Sequence, residues 1–146
     1  MIRGFFPSMA SHPYLGVGIN LPLFNIGWTP VPFLVDTGAA FTCVHPSDAK
    51  RLLGLTTAQL DPENWDADKI QAGYGVGGFV RYFETEAYFG FADDRADPTM
   101  YQAKIRIAEV RPDNRSMPSL LGWDLLQHFR MMPDGKARTL ELEWLG

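Results

Sequence analysis

The chain has 146 residues but only one cysteine, Cys43, three scattered histidines, and no segment that concentrates Lys or Arg. A single cysteine cannot close an internal disulfide, and His12, His45 and His128 offer no zinc-type spacing. With 13 Lys and Arg against 17 Asp and Glu, the net charge of −4 argues against a nucleic-acid groove or a basic membrane-binding face. Long hydrophobic runs are missing too. The most apolar stretch, residues 21–35, is broken by Pro22, Asn25, Pro30 and Pro32 and is too short to span a bilayer. The first seven residues hold one basic residue and no long apolar region followed by a small-residue cleavage site, so no export signal is visible. Together these absences lead to the expectation of a cytoplasmic protein in a reducing compartment, with no membrane or nucleic-acid partner and no metal site.

What is abundant is apolar side chains, 46% of the chain, and chain punctuation, with 14 Gly and 11 Pro. That composition supports one sizeable core, and β-branched and aromatic runs between the Gly and Pro residues predict a mostly-β fold over residues 1–146 as a single domain. Strands are expected over residues 14–20, 31–35, 41–45, 69–74, 79–91, 101–110, 119–121 and 138–144. Pro46 and Gly54 bracket a short helix at 47–53, and a second is expected at 122–129. The polar segment 55–68 reads as a surface loop, residues 93–98 as a turn, and residues 133–136 as the turn of a final hairpin. The glycine-rich Gly75-Val76-Gly77-Gly78 between two strand patterns is a strong hairpin signal.

The residues that carry chemistry follow the apolar run Val31-Pro32-Phe33-Leu34-Val35, which predicts a strand buried on both faces. Directly after it come Asp36-Thr37-Gly38-Ala39. An acid at the end of a buried strand is costly unless it is hydrogen-bonded or functional, although Asp, Thr and Gly also favour plain turns.

An apolar strand ending in Asp36-Thr37-Gly38-Ala39 resembles the hallmark of the retroviral-type, retropepsin-like aspartic proteases. Two further pieces appear in that family's order. Gly75-Val76-Gly77-Gly78-Phe79-Val80-Arg81 is similar to the family's flap hairpin, and Leu120-Leu121-Gly122 to the element before its C-terminal helix. With the closing strand, the resemblance runs from about residue 14 onward and leaves 55–68 and 93–118 as elaborations. It implies an all-β acid-protease fold with a flap hairpin, one or two short helices and two-fold symmetry.

The implied activity is peptide-bond hydrolysis without a cofactor. Two carboxylates pressed together cannot both ionise; they share a proton, and one takes a proton from water while the other gives one to the carbonyl oxygen. This chain has one Asp-Thr-Gly, so the resemblance implies a homodimer with Asp36 from each subunit. In the family, the residue at the position of Thr37 bonds across the dimer axis, and Gly38 allows close backbone approach. Tyr74, Gly75, Val76, Gly77 and Gly78 would close over an extended peptide with mainly apolar side chains near the cut. Leu120, Leu121 and Gly122 would support the site from below.

There are departures from the pattern. Many viral members carry an acid at the position of Ala40 and a base at that of Trp123, which brace the dimer together; here both are absent, which strands no buried charge. Family dimers are often cemented by terminal strands, and the alternation of residues 139–144 suits that role. Competing readings are a non-catalytic peptide-binding dimer and a regulatory domain of a larger assembly; an acid kept at the dimer axis argues against the first. Other residues read as structural: Cys43 as a small core residue rather than a nucleophile, and the three histidines as loop, strand-end and helix residues. Asp93, Asp94 and Asp97 read as a solvated turn rather than a calcium loop, while Tyr74 is either a substrate contact or a cross-strand packing residue.

Ala39 sets an expectation for pH. Relatives with strongly acidic optima often carry Ser or Thr here, whose hydroxyl donates to the ionised acid and lowers its pKa. Ala39 has no such donor, so the two titration steps of the acid pair should lie higher and the optimum should be mildly acidic. Replacing Ala39 with Ser should shift the acidic limb of the kcat/KM profile downward. A parent enzyme most active in strong acid would contradict this.

Overall fold

The computed structural model describes residues 1–8, 10–75, 78–94 and 98–146. In chain order they form β1 (Ile2–Gly4), β2 (Tyr14–Leu21), β3 (Ile26–Val35), β4 (Cys43–Val44), α1 (Pro46–Arg51), β5 (Ile70–Gly75), β6 (Gly78–Phe91), β7 (Thr99–Ala108), β8 (Ser119–Leu121), α2 (Trp123–Leu126), β9 (Phe129–Asp134) and β10 (Thr139–Trp144). The mostly-β expectation holds.

Side-chain alternation explains the strands. In β2 the residues Leu15, Val17, Ile19 and Leu21 are all buried while their neighbours are not, the period-two pattern of a sheet with one face on the core. A short 3₁₀ turn, Pro22–Phe24, returns the chain into β3, and Asn25 closes it in the left-handed region at φ 54°, which a short polar side chain tolerates. β3 starts earlier than the apolar run indicated and carries Pro30 and Pro32 inside it. Proline has no N–H to donate, but β8 pairs only with Phe33–Val35, so the far side of β3 at both prolines is an open edge. The run is also not buried on both faces as expected. Val31 and Phe33 are buried, Leu34 and Val35 half-buried, and Pro32 exposed, because only one face of β3 meets the core.

Seven strands form one sheet in the order β2-β3-β8-β4-β7-β6-β5, and β2 pairs again with β6 through Gly18–Gly90, Ile19–Phe89 and Asn20–Tyr88. The 14-residue β6 makes this closure possible. One edge pairs with β7 along Tyr82–Phe91; the other takes β5 at its start and β2 at its end. The sheet therefore closes into a barrel through β6, which pairs the edge of β2 that would otherwise be open. At the junction, the Trp28 ring lies 3.4 Å from where a Cβ would stand on Gly18 and 3.2 Å from one on Gly90, so these two glycines leave room for the indole to cover it.

A three-stranded antiparallel sheet, β1-β10-β9, completes the fold. β1 was not foreseen, since its three residues carry no alternation long enough to read. The second helix is shorter than expected because Phe129 already begins β9. Phe129 packs edge-on against Phe91 at 4.9 Å and Trp144 at 5.0 Å, and Ile2, Leu140 and Leu142 join Phe33, Phe89 and Ile107 in one continuous core. Two expectations are corrected here. Residues 93–118 are not an elaboration, because their strand β7 pairs with β6 over ten positions and with β4, lying inside the barrel sheet. β10 is not a free terminal strand: its hydrogen-bonding groups face β1 on one side and β9 on the other, within the same chain.

Candidate active site

Asp36 is the first residue after β3, and the parallel pairing of β3 with β8 fixes its place. Phe33, Leu34 and Val35 run beside Ser119, Leu120 and Leu121, and the Asp36 N–H continues the ladder by donating to the Leu121 carbonyl at 3.0 Å. The chain then turns. Gly38 N–H donates to Asp36 Oδ1 at 2.9 Å and Ala39 N–H to the Asp36 carbonyl at 3.2 Å. A Cβ on Gly38 would stand 3.2 Å from Oδ1, so glycine lets its backbone serve the carboxylate. Asp36 is half-buried, whereas Thr37 and Gly38 are exposed on this single chain.

A buried clasp holds the turn from below. Asp124, in the first turn of α2, accepts from Thr42 N–H at 3.0 Å, Thr42 Oγ1 at 2.7 Å and Leu125 N–H at 2.9 Å. Thr42 Oγ1 in turn accepts from Gly122 N–H at 3.0 Å. Trp123 N–H donates to the Ala39 carbonyl at 2.7 Å and Asp124 N–H to the Ala40 carbonyl at 3.2 Å. Backbone bonds thus tie Ala39 and Ala40 directly to the start of α2. Gly122 is required sterically: a Cβ there would come within 2.5 Å of the Phe41 carbonyl carbon and 2.6 Å of its oxygen. Sequence reasoning named Leu120, Leu121 and Gly122 but missed Thr42 and Asp124. Its available signal was an acid in the first helical turn behind an apolar-apolar-glycine element.

Above the turn lies a cleft of about 630 Å³ lined by Asp36, Gly38, Ala39, Phe41, Leu120 and, from the β5–β6 hairpin, Tyr74, with Ala72, Gly73, Tyr82, Arg106 and others completing it. The hairpin pairs Tyr74 with Phe79 and Gly75 with Gly78, and Gly78 takes φ +112°, a backbone that side chains rarely adopt. Tyr74 is 89% exposed and meets the Phe79 ring edge-on at 6.0 Å, so it both packs across the hairpin and lines the cleft. Val76 and Gly77 lie outside the described residues. At the hairpin base, Arg81 donates from its backbone N–H at 2.7 Å and from Nε at 2.9 Å to Glu109 Oε2. Burial alone would raise the Glu109 pKa, but these bonds and the guanidinium charge outweigh it and hold the carboxyl below its usual range.

The remaining candidates sort as follows. Cys43 is buried, and burial pushes its thiol up to about 12, which leaves it a core group and not a nucleophile. Asp93 and Asp94 meet the N-terminal amine at 2.8 and 2.9 Å, and hydrogen bonds from that amine and from Arg3 bring Asp94 down to about 2; Asp97 lies outside the described residues. Among the described residues no group of three or more His, Cys, Asp or Glu is placed to hold a metal ion, and no helix is long and apolar enough to cross a membrane. His12 is exposed beside Ser11, and His128 meets the Tyr101 hydroxyl at 3.1 Å, away from the cleft.

In the comparison with known families, an aspartyl protease family model aligns with residues 24–67, covering β3, Asp36-Thr37-Gly38, β4 and α1. The match supports a retropepsin-like aspartic protease family. No curated protein matches the chain. The aligned segment contains the acid, its turn and Thr42; the clasp partner Asp124 and the β5–β6 hairpin lie beyond it in the chain.

Two outcomes follow from this site. Thr42→Val keeps the side-chain shape but removes the donor to Asp124 and the acceptor for Gly122 N–H, so it should cost about 1–3 kcal/mol in urea unfolding; an unchanged midpoint would show that the clasp does not hold the turn. The second concerns His45, which caps α1 and lines the cleft. Its Nδ1 lies 2.6 Å from the Pro118 carbonyl, which can only accept, so Nδ1 carries the proton. Burial holds its pKa below 6.5 against the opposing pull of that carbonyl and of Asp48. The unfolded chain therefore binds more protons below the unfolded pKa, and stability drops as pH falls through that range. Between about pH 7 and about pH 5, the parent melting temperature should fall more steeply than that of His45→Asn, whose amide can still donate. Parallel slopes would exclude His45 as the cause.

Proposed function

We propose that this chain is an aspartic endopeptidase that works as a homodimer, with Asp36 of each subunit forming the acid pair and an extended peptide as substrate. The observation that carries this reading is the position of Asp36. It directly follows a strand, its backbone is locked to β8, its carboxylate is served by the Gly38 N–H, and it opens on a cleft beneath a glycine-rich hairpin. Among the described residues no second acid lines this cleft beside Asp36, and the chain has one Asp-Thr-Gly. Exposure of Thr37 and Gly38 beside it suits burial against a second copy.

The chemistry follows from charge sharing. Two carboxylates at a two-fold axis hold one proton between them. The ionised member takes a proton from a water molecule, which attacks the peptide carbonyl, while the protonated member gives its proton to the carbonyl oxygen. Collapse of the tetrahedral intermediate returns a proton to the leaving amine. In this reading the β5–β6 hairpin closes over the peptide, lends it strand-type hydrogen bonds and keeps bulk water from the acids. Since β10 is enclosed by β1 and β9, the subunits meet around Asp36-Thr37-Gly38 and the exposed Trp123 rather than through β10.

Asp36→Asn should abolish peptide hydrolysis while the protein stays folded, because the amide fills the same volume but cannot share the proton. Adding increasing amounts of this variant to the parent should lower activity below that of the parent subunits alone, as mixed dimers hold one acid. Specific activity should also fall on dilution into the monomer range in analytical ultracentrifugation. Undiminished hydrolysis by Asp36→Asn would remove Asp36 from the mechanism. Activity strictly proportional to parent content would contradict a shared site.

A further inference from the structure

The cleft contains a cation that peptide hydrolysis does not call for. Along β7 the chain alternates Lys104-Ile105-Arg106-Ile107; Ile105 and Ile107 enter the core, and Arg106 therefore projects from the opposite face, into the cleft that holds Asp36. Its guanidinium carbon sits 3.6 Å from the centre of the Phe41 ring, so the plane of charge is stacked on an aromatic face and held in one orientation. Nε donates to Glu84 Oε2 at 3.1 Å. No other group among the described residues accepts from the two terminal nitrogens, and Glu84 is itself shared, since Lys104 Nζ approaches its other oxygen at 3.8 Å. Lys104 also has Glu86 as its cross-strand neighbour, so the charges of this face balance; what stays unmet at the cleft wall is the pair of terminal nitrogens of Arg106, whose side chain is only 15% exposed.

We infer that Arg106 is a specificity residue: its free guanidinium edge, stacked on Phe41, receives the carboxylate of an Asp or Glu side chain of the peptide substrate. This rests on the protease reading above and refines its expectation of mainly apolar side chains near the cut. The planar fork suits bidentate pairing with a carboxylate, and partial burial strengthens it relative to a pair in open water. The negative charge of the acid pair disfavours a second carboxylate on the residues flanking the scissile bond. The acidic side chain is therefore expected further out along the peptide, with apolar residues at the cut beside Ala39 and Leu120.

The test uses the parent protein and a set of apolar dodecapeptide-length substrates in which a single Glu, or its uncharged isostere Gln, is stepped along the sequence. One position should show kcat/KM about tenfold higher for Glu than for Gln, the scale of a charge-assisted hydrogen bond in a half-buried site, and the ratio should shrink as salt is added. Arg106→Gln should bring that ratio to one while the Gln peptides are still cut; Arg106→Lys should keep part of it. Glu84→Gln, which removes the competing carboxylate and leaves Arg106 in place, should raise the ratio, a change that a purely structural Arg106 would not produce. Binding of fluorescent Glu and Gln peptides to Asp36→Asn is read in parallel. Hydrolysis with equal rates for Glu and Gln at every position overturns the Arg106 assignment alone. No hydrolysis by the parent, with Glu still bound more tightly than Gln, overturns the protease reading and leaves the carboxylate subsite standing. No hydrolysis and no preference in binding overturns both.

Discussion

The parallel pairing of β3 with β8 is the constraint on which the rest of the site depends. Three residues of β8 lie beside the last three of β3, and the same ladder reaches one residue further to hold the Asp36 backbone. Because the two strands are parallel, the chain must leave β3, build β4 through β7 and return before β8 can be laid down. The segment from β4 through β7, more than half of the barrel strands, is therefore the crossover connection that delivers Leu121 to Asp36. Once it is in place, the turn after Asp36 and the start of α2 stand at the same end of neighbouring strands. The clasp of Thr42 and Asp124 then joins them with bonds whose donors are buried or half-buried, where an unmade bond is expensive.

That dependence also explains the uneven rigidity of the site. On the lower side, Asp36 is framed by backbone bonds, by a threonine that both donates and accepts, and by a glycine whose replacement would collide with backbone atoms. On the upper side the hairpin is held at its base by Arg81 and Glu109 and beyond that by its own cross-strand ladder. The acid is thus fixed from below, whereas the hairpin above it is held mainly at its base, an asymmetry that the proposed entry of a peptide would use.

Much of the fold was legible in the sequence, for reasons that can be named. The strand over residues 14–20, the antiparallel pairing of β5 with β6 on either side of the glycines, Pro46 at the first position of α1 and the short strand 119–121 each depend on local residues, and each appears where the pattern placed it. Asp36-Thr37-Gly38 was readable because an acid after an apolar strand is a local contradiction that needs a site to resolve it. What was not legible is what depends on partners far along the chain. Thr42 and Asp124 are 82 residues apart and neither carries a period. Arg106 sits in an alternating strand whose polar face reads as solvent, and only the barrel turns that face into a cleft wall. The enclosure of β10 depended on β1, three residues too short to announce a strand, and the one-sided burial of β3 on which face the core would meet.

The length of β6 carries a mechanical consequence. Its later portion is bound on both edges, by β7 and by β2, under the cover of Trp28, while its first three residues, before Arg81, pair with β5 alone. A two-stranded ribbon in water has little stability of its own, whereas a strand in the interior of a closed sheet opens only with the global unfolding of the domain. One continuous strand thus joins the least and the most persistent parts of the molecule, and the change occurs within a residue or two of Arg81. Bending has to concentrate there, at a lever whose short arm is the ribbon and whose foundation is the barrel seam, so a load on the ribbon tip is taken up at that fulcrum without disturbing the register that holds Asp36.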